Sequence, residues 1–168
     1  MSAGSEGARH RTVHWDDPAP SAAAATRVTG LAFLEGIRDG TLPSPPIAQL
    51  LGFTLTEVEP GRAVFECEPS ESQYNPIGSV HGGVISTLLD AALSCAVHST
   101  LPAGTAYTTA EIKVNFVRPV VVGSGRLRAE GRIIHGGGRL ATADARLTDL
   151  SGKLYAHAVG TCLIFTPR

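Results

Sequence analysis

The hydrophobic positions between residues 82 and 99 do not fall on one stripe but surround the helical wheel. A helix that is apolar on most sides is covered by protein on most sides, so the pattern predicts a buried central helix at 82–99. Two shorter helical segments precede it. An amphipathic helix is predicted from Thr29 to near Gly40, and a single helical turn is predicted from the apolar positions Ile47, Leu50 and Leu51.

Most of the remaining chain alternates apolar and polar residues with a period of two, which is typical of strands. Turn sequences such as Pro60-Gly61 separate these stretches. Antiparallel strands with one apolar face must bury that face, and only the helix 82–99 is apolar enough to be wrapped. We therefore expect an α+β fold in which a curled antiparallel sheet surrounds one long central helix. The predicted strands are 53–59, 62–68, 107–117, 126–133, 141–148 and 154–165.

The beginning of the chain has a different composition. Residues 1–28 are rich in Ser, Ala, Gly and Pro, with little that could form a buried face, and we interpret them as a flexible N-terminal extension. Residues 29–168 are interpreted as one domain. A chain of 168 residues with 43% hydrophobic content is long enough for one domain with a real core, and it argues against two.

Charge and cysteine content narrow the function classes. The formal net charge is -1 and the Lys and Arg residues are scattered, so neither a nucleic acid nor a membrane surface is an expected partner. Asp90 and several Ser and Thr residues argue against a membrane span at 82–99. Cys67, Cys95 and Cys162 form no CxxC pair and lie in apolar runs, so we predict buried free thiols. Free thiols are typical of a reducing compartment, and the N-terminus has no apolar core of signal-peptide length, so we expect a cytoplasmic protein.

One acidic residue stands alone in an apolar region. Asp90 is the only formally charged side chain between Glu71 and Glu111. An ionised carboxylate is costly to bury without a partner, so such a residue is either solvated in a cleft or retained for chemistry. The helical run that contains Asp90 opens with His81-Gly82-Gly83. The combination predicts an active site.

These residues form a recognisable motif. The pattern Asn75-Pro76-x-Gly78-x-x-His81-Gly82-Gly83, followed by Asp90, resembles that of the hot-dog-fold acyl-CoA thioesterases of the phenylacetate-pathway type. The resemblance covers about residues 47–165 and includes the order of strands and helix. It implies hydrolysis of an acyl-CoA substrate without a cofactor, since coenzyme A is part of the substrate. It also implies sites shared across a homodimer, often assembled into a homotetramer of two such dimers.

The glycines and the acid have physical roles in such a reaction. At the start of a helix the amides of Gly82 and Gly83 are unpaired, and they can receive the oxygen of a thioester carbonyl as it gains negative charge. Asp90 either activates a water molecule for attack on the thioester carbon or attacks that carbon itself to form an anhydride. The sequence leaves both routes open.

Other polar residues match family positions. Asn75 is expected to donate from its amide to the carbonyl or to hold the acid, and His81 is expected either to orient the thioester or to cap the loop. Thr108 and Thr109 begin the strand after the helix, where related enzymes carry a hydroxyl that helps to place the attacking water. Thr109 aligns better than Thr108 when positions are counted back from Pro119.

The resemblance also suggests where coenzyme A would lie. It would follow the surface near the Arg118-Pro119 loop and the turn Gly137-Gly138-Arg139. Arg118 and Arg139 carry forked donors that can pair with phosphate.

The spacing of Gly82 and Asp90 bears on assembly. Eight residues on one helix correspond to a rise of about 12 Å and a rotation of about 80°, so one carbonyl can hardly contact both. The simplest solution is two antiparallel copies of the helix at a two-fold interface, with Gly82 of one subunit facing Asp90 of the other.

Other functional classes differ from the thioesterase interpretation in the motifs that each requires. A non-catalytic protein that binds or senses acyl-CoA shares the fold, although no helix-turn-helix or basic stretch is visible. Hot-dog hydratases carry a His five residues after the Asp, where this chain has Cys95. A serine hydrolase lacks support because the chain contains no GxSxG elbow. The cysteines make no ligand pairs, and no metal is predicted.

Overall fold

A computed structural model describes residues 8–166 of the chain. These residues form four α-helices and six β-strands, together with two single turns of 3₁₀ helix. The helices are α1 (Ala19–Ala25), α2 (Gly30–Arg38), α3 (Pro46–Leu51) and α4 (Gly82–His98). The strands are β1 (Phe53–Glu59), β2 (Arg62–Cys67), β3 (Ala106–Phe116), β4 (Leu127–Gly136), β5 (Leu140–Asp149) and β6 (Leu154–Phe165).

The six strands form one antiparallel sheet in the order β1-β2-β4-β5-β6-β3. The sheet curls around α4, which contacts every strand. Small residues such as Ala129, Ala143 and Ala158 line the concave face and are fully or almost fully buried. The expected fold, a curled antiparallel sheet around one long central helix, is confirmed. The strands β1 and β6 have the predicted bounds.

The central helix lies very close to the sheet. Leu89 and Leu93 of α4 have no exposed surface. On β4, a Cβ atom added at Gly131 would lie only 2.1 Å from the carbonyl oxygen of Ala92. On β6, a Cβ atom at Gly160 would lie 3.1 Å from a methyl group of Leu93. Glycine at these two strand positions therefore lets α4 approach, and it sets the depth at which the helix, with Asp90 two residues before Ala92, is held.

The N-terminal part of the described chain packs on one side of this core. Thr29 caps α2 by accepting a hydrogen bond from the Ala32 amide, and the Gly30 amide donates to the carbonyl of Leu101, just beyond α4. Before α2, residues 8–28 include the helix α1, which the composition did not predict. Residues 1–7 lie outside the described part, and the flexibility of the extension stays a prediction.

The length and hydropathy of the helices bear on membrane insertion. Within residues 8–166, no helix is both long enough and apolar enough to cross a membrane.

Gly131→Ala tests the close approach of α4. The added methyl group meets backbone atoms of the helix that no rotamer change can move, so we expect the free energy of unfolding to fall by about 3 kcal/mol, the upper end for overpacked cores. Gly123→Ala is the matched control because nothing lies within 4 Å of a Cβ atom there. It should change stability by less than about 0.5 kcal/mol. Urea denaturation measures both, and equal stability of the two variants would contradict the packing described.

Candidate active site

The first turn of α4 presents one free backbone amide. His81 is the N-cap residue, and its Nδ1 atom accepts a hydrogen bond of 2.9 Å from the amide of Gly83. The amides of Val84 and Ile85 donate to the carbonyl of His81. Among the described residues, the amide of Gly82 has no acceptor. Of the two glycines predicted to bind a carbonyl oxygen, the structure therefore leaves Gly82 available and engages Gly83.

Asn75 holds the loop that leads into α4. Its Oδ1 atom accepts from the amides of Ile77 and Ser79, and its Nδ2 atom donates to the Ser79 hydroxyl at 3.0 Å. Gly78, in this turn, has φ of +85°, which favours glycine. The side chain of Asn75 is thus largely used within its own turn, and one Nδ2 hydrogen remains for a ligand.

A pocket of about 300 Å³ adjoins the free amide. Asn75, Gly82, Phe116 and Arg118 are among its lining residues. The Phe116 ring lies against the Cα of Gly82, since a Cβ atom there would be 3.1 Å from the ring edge. Arg118 is exposed and donates to the carbonyl of Leu154 at 2.5 Å. We call the group Asn75, His81, Gly82 and Arg118 the glycine half-site.

The carboxylate of Asp90 lies further along α4. It is half-buried, and its Oδ1 atom accepts a hydrogen bond of 2.8 Å from the hydroxyl of Thr109 on β3. The ladder between β3 and β6 shifts register just after Thr109. Thr108 is exposed, so of the two threonines Thr109 is the one that reaches the acid. We call Asp90 and Thr109 the acid half-site.

The side chains around Asp90 are uncharged, and none of them other than Thr109 is a predicted site residue. Burial raises the pKa of Cys95 to about 12, and the charge of Asp90 adds to the rise. Burial likewise raises the pKa of the Cys162 thiol, although Thr109 hydrogen-bonds to it and acts in the opposite direction. Both thiols are therefore protonated at neutral pH and are poor nucleophiles. Tyr107 lies two residues before Thr109, so the alternation of the strand could have placed it on the same face.

The residues predicted to contact coenzyme A, which are Arg118 and the turn Gly137-Gly138-Arg139, lie near opposite ends of strand β6. In the turn Gly137-Gly138-Arg139, the Gly137 amide donates to Leu140, and the Arg139 carbonyl accepts from Ile164 near the end of β6. The Arg118 amide donates to Tyr155 near the start of β6. Nine residues of strand separate Tyr155 from Ile164, or about 30 Å. One chain therefore does not bring Arg118 and Arg139 to the same phosphate.

A larger cleft of about 750 Å³ opens beside the first turn of α4. His81, Gly83 and Thr87 lie along the helix side, and Arg11 and Val13 of the N-terminal segment lie across from them. Arg11 is held by a hydrogen bond to the carbonyl of Gln49. The N-terminal residues of this cleft carry no periodic pattern, so the sequence offered no signal for them.

In the part of the chain that the structure describes, no three His, Cys, Asp or Glu side chains are grouped so that they could hold a metal ion.

Comparison with known proteins identifies the family. The thioesterase superfamily matches residues 77–156. A protein of Saccharolobus solfataricus named "Putative esterase" is 32% identical over 124 residues, which cover 74% of this chain and 81% of the relative. Acyl-coenzyme A thioesterase 13 of Mus musculus is 28% identical over 105 residues, which cover 62% and 74%.

Solved structures agree. A phenylacetic acid degradation-related protein of Ralstonia eutropha JMP134 superposes with a TM-score of 0.70 at 28% identity, covering 77% of this chain and 98% of that one. The chain belongs to the thioesterase superfamily, and its fold is the hot-dog fold. The expected resemblance to hot-dog thioesterases of the phenylacetate-pathway type is confirmed.

Variants of His81 separate its two expected roles. His81→Ala removes the acceptor for the Gly83 amide and should lower the free energy of unfolding by about 1 kcal/mol, whereas His81→Ser restores a good N-cap and should stay within a few tenths. Urea denaturation measures both. Equal stability of His81→Ala and the wild type would contradict the capping role. If His81→Ser is stable but has lost thioester hydrolysis, His81 acts on the substrate.

Proposed function

We propose that this protein hydrolyses acyl-CoA thioesters to the free acid and coenzyme A, with Asp90 as base or nucleophile. The observation that carries the proposal is the half-buried carboxylate of Asp90, oriented by Thr109 and without an ion pair among the described residues. The thioesterase superfamily supplies the reaction class. The name of the mouse relative, acyl-coenzyme A thioesterase 13, supports coenzyme A esters as the substrates.

The surroundings of Asp90 suit this chemistry. Thr109 occupies Oδ1, which leaves Oδ2 free to act. As a base, Oδ2 takes a proton from a water molecule whose oxygen attacks the thioester carbon, and the proton then passes to the departing coenzyme A thiolate. As a nucleophile, Oδ2 attacks the thioester carbon, the carbon–sulfur bond breaks and the coenzyme A thiolate leaves. Water then hydrolyses the resulting anhydride to the free acid and the Asp90 carboxylate, and the proton released goes to the thiolate. Both routes use the same oxygen.

The free amide of Gly82 is the proposed donor to the developing oxyanion. It lies at the first position of α4, where the helix dipole favours negative charge. A backbone amide in this place is already oriented, so it costs little reorganisation when the carbonyl oxygen gains charge.

The two half-sites of one chain cannot act on one carbonyl, so we propose that a two-fold interface joins the glycine half-site of one subunit to the acid half-site of its partner. Strand β3 ends the sheet, and among residues 8–166 no strand pairs with its outer edge. An unpaired edge of 11 residues is a ready surface for a second copy. Phe116 and Val117, exposed at the end of this strand, would be covered by the same interface.

The proposed assembly also bears on how coenzyme A is bound. Arg118 and Arg139 are about 30 Å apart along β6, so in the proposed assembly the two arginines that contact the same phosphate of coenzyme A come from different subunits. A homotetramer of two such dimers and a cytoplasmic location remain part of the proposal, and the three free cysteines fit a reducing compartment.

Asp90→Asn tests the acid. The substitution keeps the shape and a hydrogen-bond acceptor for Thr109 but removes the base, so thiol release from acyl-CoA should fall roughly 10²- to 10⁴-fold with the fold intact. Asp144→Asn is the matched control, since Asp144 is also half-buried but lies on β5 opposite Arg132 and Val159. Its activity should stay near that of the wild type.

The outcome of this assay also separates the function classes. Turnover retained by Asp90→Asn would refute the assignment of the acid. Binding of acyl-CoA without thiol release by the wild type would indicate a non-catalytic binding protein instead.

Gly82→Pro tests the oxyanion donor. Proline removes the amide hydrogen and is favoured at the first position of a helix, and His81 has φ of -60° and ψ of 136°, which are acceptable before proline. We expect kcat to fall by about 10²- to 10³-fold. Gly82→Ala is the control because it keeps the amide and adds the same Cβ contact with Phe116. Equal losses in both variants would exclude the amide as the cause.

Mixing the two inactive variants tests the shared site. In a mixed dimer of Asp90→Asn and Gly82→Pro, one site carries both changes and the other carries neither. Random pairing should therefore restore about one quarter of the wild-type activity. Thiol release after co-expression measures it, and a mixture no more active than its parents would place both residues of a site in one chain.

A further inference from the structure

A third cavity lies beyond the acid half-site, between the C-terminal end of α4 and the N-terminal helices. Its volume is about 310 Å³. Cys95, His98 and Tyr107 form its floor. The rings of Phe33 and Tyr107 flank the His98 ring at centroid distances of 5.4 and 4.9 Å. The walls come from α1, α2 and the proline-rich segment between α2 and α3, with Ser21, Ala22, Leu34, Ile37, Pro43 and Pro45 among the lining residues.

Residues that line this cavity lie next to the acid half-site on both β3 and α4, although neither Asp90 nor Thr109 lines it. Tyr107 lies two residues before Thr109 on β3, so alternation places both on the side of the strand that faces α4. Cys95 lies five residues after Asp90 on α4, which is a rise of about 7.5 Å and a rotation of about 140°. Thr109 hydrogen-bonds to Asp90, and Tyr107 on the same strand lines the cavity, so β3 runs from the acid to the cavity. A substrate whose carbonyl lies at Asp90 therefore has this space within reach of its acyl group.

The floor of the cavity is uncharged at neutral pH. Burial lowers the pKa of His98 to about 4, and burial raises the pKa values of Cys95, to about 12, and of Tyr107. The acidic residues of the lining are Asp16 and Asp17, whose side chains are exposed. An apolar group is stabilised in such a space, while an acyl group that ends in a carboxylate would be repelled by these two aspartates.

We infer that this cavity receives the distal end of the acyl group, and that α1 limits the length of that group. The inference rests on the proposed acyl-CoA hydrolysis. At about 30 Å³ for each water-sized group, 310 Å³ holds about ten non-hydrogen atoms. The substrate class is therefore an acyl group that ends in a single aromatic ring or a medium-length alkyl chain without a charge.

Two neighbouring residues of α1 provide a matched pair of variants. Ala22 lines the cavity, and Ala23 does not. Both are exposed, so an indole ring at either position leaves the core of the protein untouched. Ala22→Trp narrows the cavity, whereas Ala23→Trp adds the same ring elsewhere on the helix.

Binding is measured first, in the Asp90→Asn background, where esters persist. Calorimetry with coenzyme A esters from propionyl to dodecanoyl, and with phenylacetyl-CoA, should show affinity rising about fourfold for each buried methylene until the cavity is full. Ala22→Trp should bind octanoyl-CoA at least tenfold more weakly than Ala23→Trp, with a much smaller difference for propionyl-CoA. Succinyl-CoA should bind more weakly than butyryl-CoA because of Asp16 and Asp17.

The outcomes for this cavity and for the proposed function are distinct. Identical chain-length profiles for Ala22→Trp and Ala23→Trp, or affinity that does not depend on chain length, would overturn the role of the cavity. Thiol release from propionyl-CoA by the wild type tests the hydrolysis separately. Length-dependent binding without any release would leave the cavity standing and refute the hydrolysis.

Discussion

The close packing of α4 against the sheet is the constraint on which the rest of this structure depends. Gly131 and Gly160 allow the helix backbone and its leucines to approach the strands more closely than any side chain would permit. The helix is therefore fixed against the sheet, with the free amide of Gly82 at one end and the carboxylate of Asp90 two turns further on. Because the helix is held in this way, the two groups keep their separation. The proposed reaction, which needs both groups, therefore calls for a second copy of the helix.

The loop before α4 illustrates how few polar groups are left over for chemistry. Asn75 closes its turn with three hydrogen bonds, and His81 takes the amide of Gly83. What remains at the helix start is the amide of Gly82, with one Nδ2 hydrogen of Asn75. Beside Asp90, one carboxylate oxygen accepts from Thr109 and the nearby thiols stay protonated. In both places local structure satisfies most of the polar groups, and few of them remain free for a ligand.

Much of this organisation follows from sequence patterns. The period-two alternation and the all-round apolar helix define the strands, α4 and their mutual packing. The alignment favours Thr109 over Thr108 as the residue that places the attacking water, and it does not predict the hydrogen bond from Thr109 to Asp90. The helix α1 was out of reach because its Ala-rich composition has no apolar face. The choice between Gly82 and Gly83 depends on the side-chain position of His81, and the distance between Arg118 and Arg139 depends on strand register. Neither is encoded in local periodicity.

The position of α1 in the chain has a consequence for acyl selectivity. The superfamily match spans residues 77–156, which include α4, β3 and therefore Asp90 and Thr109. The walls of the cavity beyond the acid come mainly from residues 16–46, outside that region. If the proposed roles hold, acyl selectivity and bond cleavage depend on separate segments of the chain. Substitutions within residues 16–46 would then change the preferred acyl group while leaving Asp90 and Thr109 unaltered.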